Sequence, residues 1–155
     1  YYGDEHKACR CTPTKVANYL QRLSGPLLDR IDLQVAVQRP SPEVLLMPKK
    51  GLDTQTAKRW VVKAQVRQLA RSGLLNGDLP WAELEACTKL KSVDDKLLKN
   101  AISRLHLSPR GIHKVLRVAR TIADLDHTNT IHKNHLLEAL SYRRLDILSM
   151  EIEQA

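Results

Sequence analysis

The sequence predicts a mainly α protein, with a helical bundle over its C-terminal two thirds and a single strand before it. Three observations lead there. Apolar residues recur at helical spacing from about residue 53 onward. Residues Ile31 to Val37 alternate apolar and other side chains. Pro40, Pro42, Pro48 and Gly51 separate the two patterns.

Residues 1–11 carry Gly, Asp, His and two Cys without hydrophobic period and read as a loop. Thr12-Pro13-Thr14 opens a helix, because proline is pre-set for the first turn, and Val16, Leu20 and Leu23 follow at helical spacing. Ser24-Gly25-Pro26 breaks it, and Leu27-Leu28-Asp29-Arg30 forms a short helical turn or an irregular link. In the strand, Ile31, Leu33, Val35 and Val37 share one face, with Asp32, Gln34 and Ala36 on the other. One strand cannot pair its own backbone edges, so its partners are expected in a preceding part of a longer protein or in another copy. The opening Tyr1-Tyr2-Gly3-Asp4, without an initiator methionine, agrees with a start inside a longer chain. Roughly residues 38–52 then form an extended connector.

Asp53 or Thr54 caps a helix that turns Ala57, Trp60, Val61, Ala64 and Leu69 inward and stops at Gly73. Leu79-Pro80-Trp81 starts a short helix to about Cys87. Ser92 and Asp95 resemble a capping box ahead of Leu97, Leu98, Ala101, Ile102 and Leu105. Ser108-Pro109 begins a helix that buries Ile112, Val115, Leu116, Ala119, Ile122 and Ala123. Thr130 caps a last helix with Leu136, Leu137 and Leu140, whose pattern decays after Tyr142.

The net charge of +8 favours an anionic partner such as nucleic acid, nucleotide or acidic membrane; the plainer alternative is a solvated basic surface. Aromatic residues make up 4% and Phe is absent, which argues against platforms for stacked bases. No stretch is long and apolar enough to cross a bilayer, so a soluble protein without a membrane partner is expected. With 3 cysteines, two of them only two positions apart, a reducing cytoplasmic setting fits best.

Cys9 and Cys11, with His6 nearby, are thiolate candidates for zinc, but a tetrahedral structural site needs four ligands. Cys87 sits on an apolar helix and reads as a core residue. His127, His132 and His135 read as surface or capping histidines. Trp60 and Trp81 read as core anchors, and Lys49-Lys50 and Lys58-Arg59 as solubilising rather than phosphate-binding. Arg30, flanked by Asp29 and Asp32, could be an ordinary helix-end arginine. The sequence holds no G-x-x-x-x-G-K-[ST] and no recognisable Ser–His–Asp context, so this chain alone is not expected to hydrolyse a nucleotide.

Three stretches together resemble the Mg-chelatase-like AAA+ ATPases of the ComM/YifB type. They are Tyr2-Gly3-Asp4 with Cys9-Arg10-Cys11-Thr12-Pro13; Leu23-Ser24-Gly25-Pro26-Leu27-Leu28-Asp29-Arg30-Ile31-Asp32-Leu33; and Leu107-Ser108-Pro109-Arg110 through Leu116-Arg117-Val118-Ala119-Arg120-Thr121-Ile122-Ala123-Asp124-Leu125. The likeness runs from Tyr1 to about Asp146. It implies that residues 1–38 are the end of an AAA+ αβα core, its last strand and flanking helix; that 39–52 are a linker; and that 53–155 are the helical lid.

The resemblance also implies roles. Arg30 becomes an arginine finger that reaches the γ-phosphate bound by a neighbouring protomer, and Arg117 or Arg120 becomes the sensor-2 arginine. A second Cys pair upstream would complete a zinc site with Cys9 and Cys11. ATP and Mg2+ are expected in the whole protein, and nothing bound to this chain alone. The implied assembly is a homo-oligomeric ring, a hexamer. The implied task is ATP-driven DNA remodelling, a helicase-like branch migration in competence for natural transformation. Two alternatives stay open: the ATPase subunit of a magnesium chelatase, and a stand-alone basic helical DNA-binding module.

Overall fold

The structure is a computed structural model, and it describes residues 8–22, 27, 29–35, 37, 40–46, 51–88, 90 and 92–143, with the side chains at 20, 44–45 and 92–94 outside that description. His6, Leu23, Ser24-Gly25-Pro26, Leu28, Ala36 and Lys49-Lys50 therefore lie outside the described residues.

Helix α1 spans Pro13–Leu20, with Pro13 in its first turn and Thr12 Oγ1 accepting the Lys15 amide at 3.4 Å. A short helix, α2, runs over Pro42–Leu46, where an extended connector is expected from the prolines. The local reason is a helix-start signal: proline in the first turn, preceded by Ser41 and followed by Glu43. Hydrogen bonding from the Ser41 side chain holds the Glu43 carboxyl below its ordinary value.

Helix α3, Thr54–Ser72, is capped by Asp53, whose Oδ1 accepts the Thr56 amide at 2.9 Å. It closes on Gly73 in the left-handed conformation (φ 71°), which glycine adopts without steric cost. Helix α4 is Trp81–Cys87, α5 is Ser92–Leu105, α6 is Pro109–Leu125 and α7 is Lys133–Ser141. Helix α6 begins as its sequence demands, with Pro109 in the first turn and Ser108 Oγ accepting the Gly111 amide at 3.0 Å. The N-cap of α7 is His132 rather than Thr130, and His135 Nδ1 accepts the His132 amide at 3.0 Å.

The core lies where α5, α6 and α7 meet. Leu98, Leu107, Val115, Leu116, Ala119, Ile122, Ala123, Ile131, Leu136 and Ala139 form one buried cluster, with Leu97, Ile102, Leu105, Ile112 and Leu140 packed against it. Each large aliphatic side chain fully buried here stabilises the fold by about 1.5–3 kcal/mol. Leu137 is exposed, and the inward face of α7 is Leu136, Ala139 and Leu140. Helix α6 also packs against α3 and α4, so it is the central element of the bundle.

Helix α3 corrects the sequence reading. Ala64 and Gln68 are its buried residues, while Trp60, Val61, Val62, Val66 and Leu69 are exposed, Trp60 at 51%. The face turned to α6 is set by polar partners, and the apolar stripe has no cover among the described residues. Trp81 is also partly exposed and so is no buried anchor.

The predicted strand is likewise reduced. Among the described residues it makes one parallel bridge, Gln34 with Arg143, through a Gln34 amide that donates to the Tyr142 carbonyl at 2.9 Å. Gln34 is buried, whereas Ile31, Leu33, Val35 and Val37 are exposed. An edge without neighbouring strands cannot extend its ladder, and the alternation marks a face with no sheet beneath it. No described helix is long and apolar enough to cross a membrane.

Candidate functional site

Arg30 occupies a turn whose backbone is tied on both sides. The Arg30 amide donates to the Leu27 carbonyl at 3.0 Å, and the Arg30 carbonyl accepts from Lys114 Nζ at 3.1 Å. Lys114 also pairs with Asp32. On the other flank, Asp29 Oδ2 accepts the Ser108 hydroxyl at 2.7 Å, and Asp29 Oδ1 lies 3.4 Å from a guanidinium nitrogen of Arg143. Arg143 is buried and donates a second hydrogen bond to the Ile31 carbonyl at 3.0 Å. Gly111 borders this cluster, and a Cβ there would make only ordinary van der Waals contact, 3.5 Å from Ser108 Oγ and 3.7 Å from the Arg143 guanidinium. The Arg30 side chain itself is exposed and makes no hydrogen bond or ion pair among the described residues.

The two arginines of α6 have different surroundings. Arg117 is half-buried; one terminal nitrogen donates to the Leu79 carbonyl at 3.0 Å, and its Nε is buried without a partner. Arg120 is 0% exposed. It donates to the carbonyls of Asn129 and Thr128 at 2.8 and 2.7 Å and to Asp124 Oδ1 at 3.0 Å. Both terminal nitrogens are thus engaged inside the fold, while its Nε, like that of Arg117, is buried without a hydrogen-bond partner among the described residues.

Sequence reasoning missed the network around Arg120. Arg71 reaches across from α3 and grips Asp124 with two bonds of 2.6 and 3.0 Å. Asn76 accepts from Arg71 at 2.6 Å and donates to Asp124 at 2.9 Å and to Thr121 at 3.0 Å. Gln68 accepts the Asn76 amide at 2.9 Å. Burial works against ionised Asp124, yet hydrogen bonds from Arg71 and Asn76 and the charge of Arg120 outweigh it and hold the carboxyl below its ordinary value. The i,i+4 spacing of Arg120 and Asp124 was legible; Arg71, 53 positions away, carries no such signal.

One turn from Arg117, His113 stacks on Trp81 with ring centroids 3.6 Å apart and planes 14° off parallel. Burial, then the Arg117 charge, push the His113 imidazole below its ordinary value.

Cys9 and Cys11 are free thiols, half-buried and exposed. A hydrogen bond from the Cys11 backbone lowers the Cys9 thiol. Two ligands are half of a structural zinc site, and no group of three or more metal-ligating side chains exists among the described residues. The fit to a structural zinc site is incomplete among the described residues. Cys87 is half-buried. His135 Nε2 lies 3.1 Å from Asp126, and exposed His127 sits in the turn after α6 with φ 58°. Lys58 and Arg59 line an open depression with Gln55, Val62 and Lys63.

Residues 51–143 match the family model of magnesium chelatase, subunit ChlI C-terminal, and residues 1–45 match that of magnesium chelatase, subunit ChlI. YifB of Escherichia coli (strain K12) is 40% identical over 157 residues, covering 99% of this chain and 30% of that protein. YifB of Salmonella typhimurium is 38% identical over 155 residues, with 99% and 30% covered. The competence protein ComM of Haemophilus influenzae is 40% identical over 154 residues, with 94% and 28% covered. The chain spans about three tenths of the length of the curated relatives it matches.

Proposed function

Because the chain belongs to the family of the magnesium chelatase subunit ChlI C-terminal domain, of Mg-chelatase-like AAA+ proteins, we propose that it supplies two arginines to an ATP-driven ring motor. Residues 1–38 end the nucleotide-binding core, 39–52 link, and 53–155 form the lid; the two family matches, ending at 45 and starting at 51, support a division there. Arg30 is the finger. The observation that carries this reading is a guanidinium left exposed and, among the described residues, unpaired, on a backbone held from both sides. A fixed planar cation completes a neighbour's site by neutralising charge that grows on the phosphoryl oxygens during transfer.

Arg117 is the sensor-2 residue in this reading, and Arg120 is not. Reaching a phosphate would require Arg120 to abandon three internal acceptors and leave Asp124 with one fewer partner. Arg117 has a single backbone acceptor to give up. The phosphate loop and the Mg2+-holding acids belong elsewhere in the ring, since this sequence contains no G-x-x-x-x-G-K-[ST]. The work done with ATP is DNA remodelling, supported by the likeness to a competence protein and by the +8 charge. Metal insertion by a chelatase uses the same motor parts and is the alternative that the family match keeps in view.

ATP turnover by the whole protein, with and without branched DNA, tests both levels. Arg30→Ala is expected to lower turnover by about 10³-fold or more with ATP binding nearly unchanged. Normal turnover in that variant overturns the finger assignment. Branched DNA is expected to stimulate the unaltered protein, and a flat response overturns the DNA reading in favour of the chelatase one.

A further inference from the structure

We propose that Asp29, Ser108, Lys114 and Arg143 form a latch through which the lid sets the position of Arg30, so that these are positioning residues for the finger. The inference rests on the reading of Arg30 just given. Its physical basis is that, among the described residues, every side-chain tie on the Arg30 turn comes from the lid. Ser108 and Lys114 belong to the start of α6, and Arg143 follows α7. Together they hold the Asp29 carboxylate, the Arg30 carbonyl, the Ile31 carbonyl and the Asp32 carboxylate. The Gln34 amide on the Tyr142 carbonyl adds a backbone tie.

The holding groups suit this task. Arg143 is buried, so its bonds to Asp29 and Ile31 compete little with water, and its fork can serve a carboxylate and a carbonyl at once. Lys114 is one turn ahead of Arg117 on the same helix. A rigid α6 therefore joins the residue that would sense nucleotide to the segment that carries the finger. Movement of α6 about the nucleotide must carry the Arg30 turn with it, or break the latch.

The experiment uses the whole protein and four variants: Lys114→Met, Asp29→Asn, Arg30→Ala, and Lys114→Met combined with Arg30→Ala. Lys114→Met keeps the aliphatic stem and folds even if an Arg143 replacement does not. A misplacement of the order of 1 Å can cost about 100-fold in rate, so Lys114→Met and Asp29→Asn are each expected to lower kcat about 10- to 100-fold with little change in KM. In the Arg30→Ala background, Lys114→Met is expected to lower kcat no further, because a latch acts only through the finger. A loss of equal size in both backgrounds overturns the latch, since a merely structural role would appear in both. Amide exchange at Gln34 is read in parallel, with about three- to tenfold faster exchange expected in Lys114→Met. Faster exchange with unchanged kcat also overturns positioning, as does unchanged exchange. If Arg30→Ala itself hydrolyses ATP normally, the finger reading fails, and the exchange data still decide separately whether the contacts hold the turn.

Discussion

Asp124 is the residue on which the α3–α6 contact turns. It is 0% exposed and meets Arg71, Arg120 and Asn76 at hydrogen-bonding distance. Neither charge sign could be buried here alone; one carboxylate between two guanidiniums leaves a net positive cluster that the carbonyls of Thr128 and Asn129 help to neutralise. Asp124→Asn keeps the shape and removes the charge, leaving two arginines without a counter-ion. Breaking such a buried pair is expected to cost about 3–5 kcal/mol, read as a lower urea midpoint at unchanged slope. The pH dependence has a definite sign. The folded carboxyl lies below the 3.8 of its unfolded counterpart, so its stabilisation is complete above that value and is lost as pH falls through the lower, folded one. Asp124→Asn should lack this acid-side loss. A variant as stable as the unaltered chain, with the same acid profile, would show that the network is incidental to the fold.

At the scale of elements, what was legible in the sequence was local. Thr12-Pro13, Leu79-Pro80-Trp81, Ser108-Pro109 and Gly73 mark helix ends because capping and left-handed closure are decided within one turn of chain. The apolar faces of α5 and α6 were legible for a similar reason: their partners lie within the bundle, so periodicity and burial agree. Helix α3 shows where that agreement ends. Its apolar residues recur at helical spacing but are less sharply one-sided than those of α5 and α6, and Ala64 and Gln68 are buried while Trp60 and Leu69 are not, since Arg71 and Asn76 choose the face through partners 45 to 53 positions away. The strand differs: its alternation records a face that needs a cover, and among the described residues it finds only the one bridge to Arg143, as expected of a strand whose partners lie elsewhere. Of the candidate site, Arg30, Arg117 and Arg120 could be singled out only through the likeness of the surrounding motifs. Burial then separated the two arginines on α6, which sit one turn apart on one helix.

On the scale of the whole molecule, the fold divides into a well-packed centre and a lightly held flank. The centre is α6 with α7 and α5, closed by the buried cluster from Leu98 to Ala139. The described flank carries exposed Tyr19, Leu33, Val35 and Val37, and the polar ties around the Arg30 turn are what anchor it to the lid. Few buried apolar contacts mean a low free energy of local opening, so the two parts should exchange amide protons by different routes. The Gln34 amide is expected to open at about 1–3 kcal/mol, well below the roughly 5–15 kcal/mol of global unfolding, and to show almost no dependence on added denaturant. Amides of Leu116 and Ala119 should open only with the whole domain and follow the full denaturant slope. Identical slopes at Gln34 and Ala119 would mean that the flank and the bundle unfold as one unit. Separate slopes carry a mechanical consequence: the Arg30 turn can leave and re-seat on α6 without disturbing the core, as the role proposed for Arg30 requires of the surface that holds it.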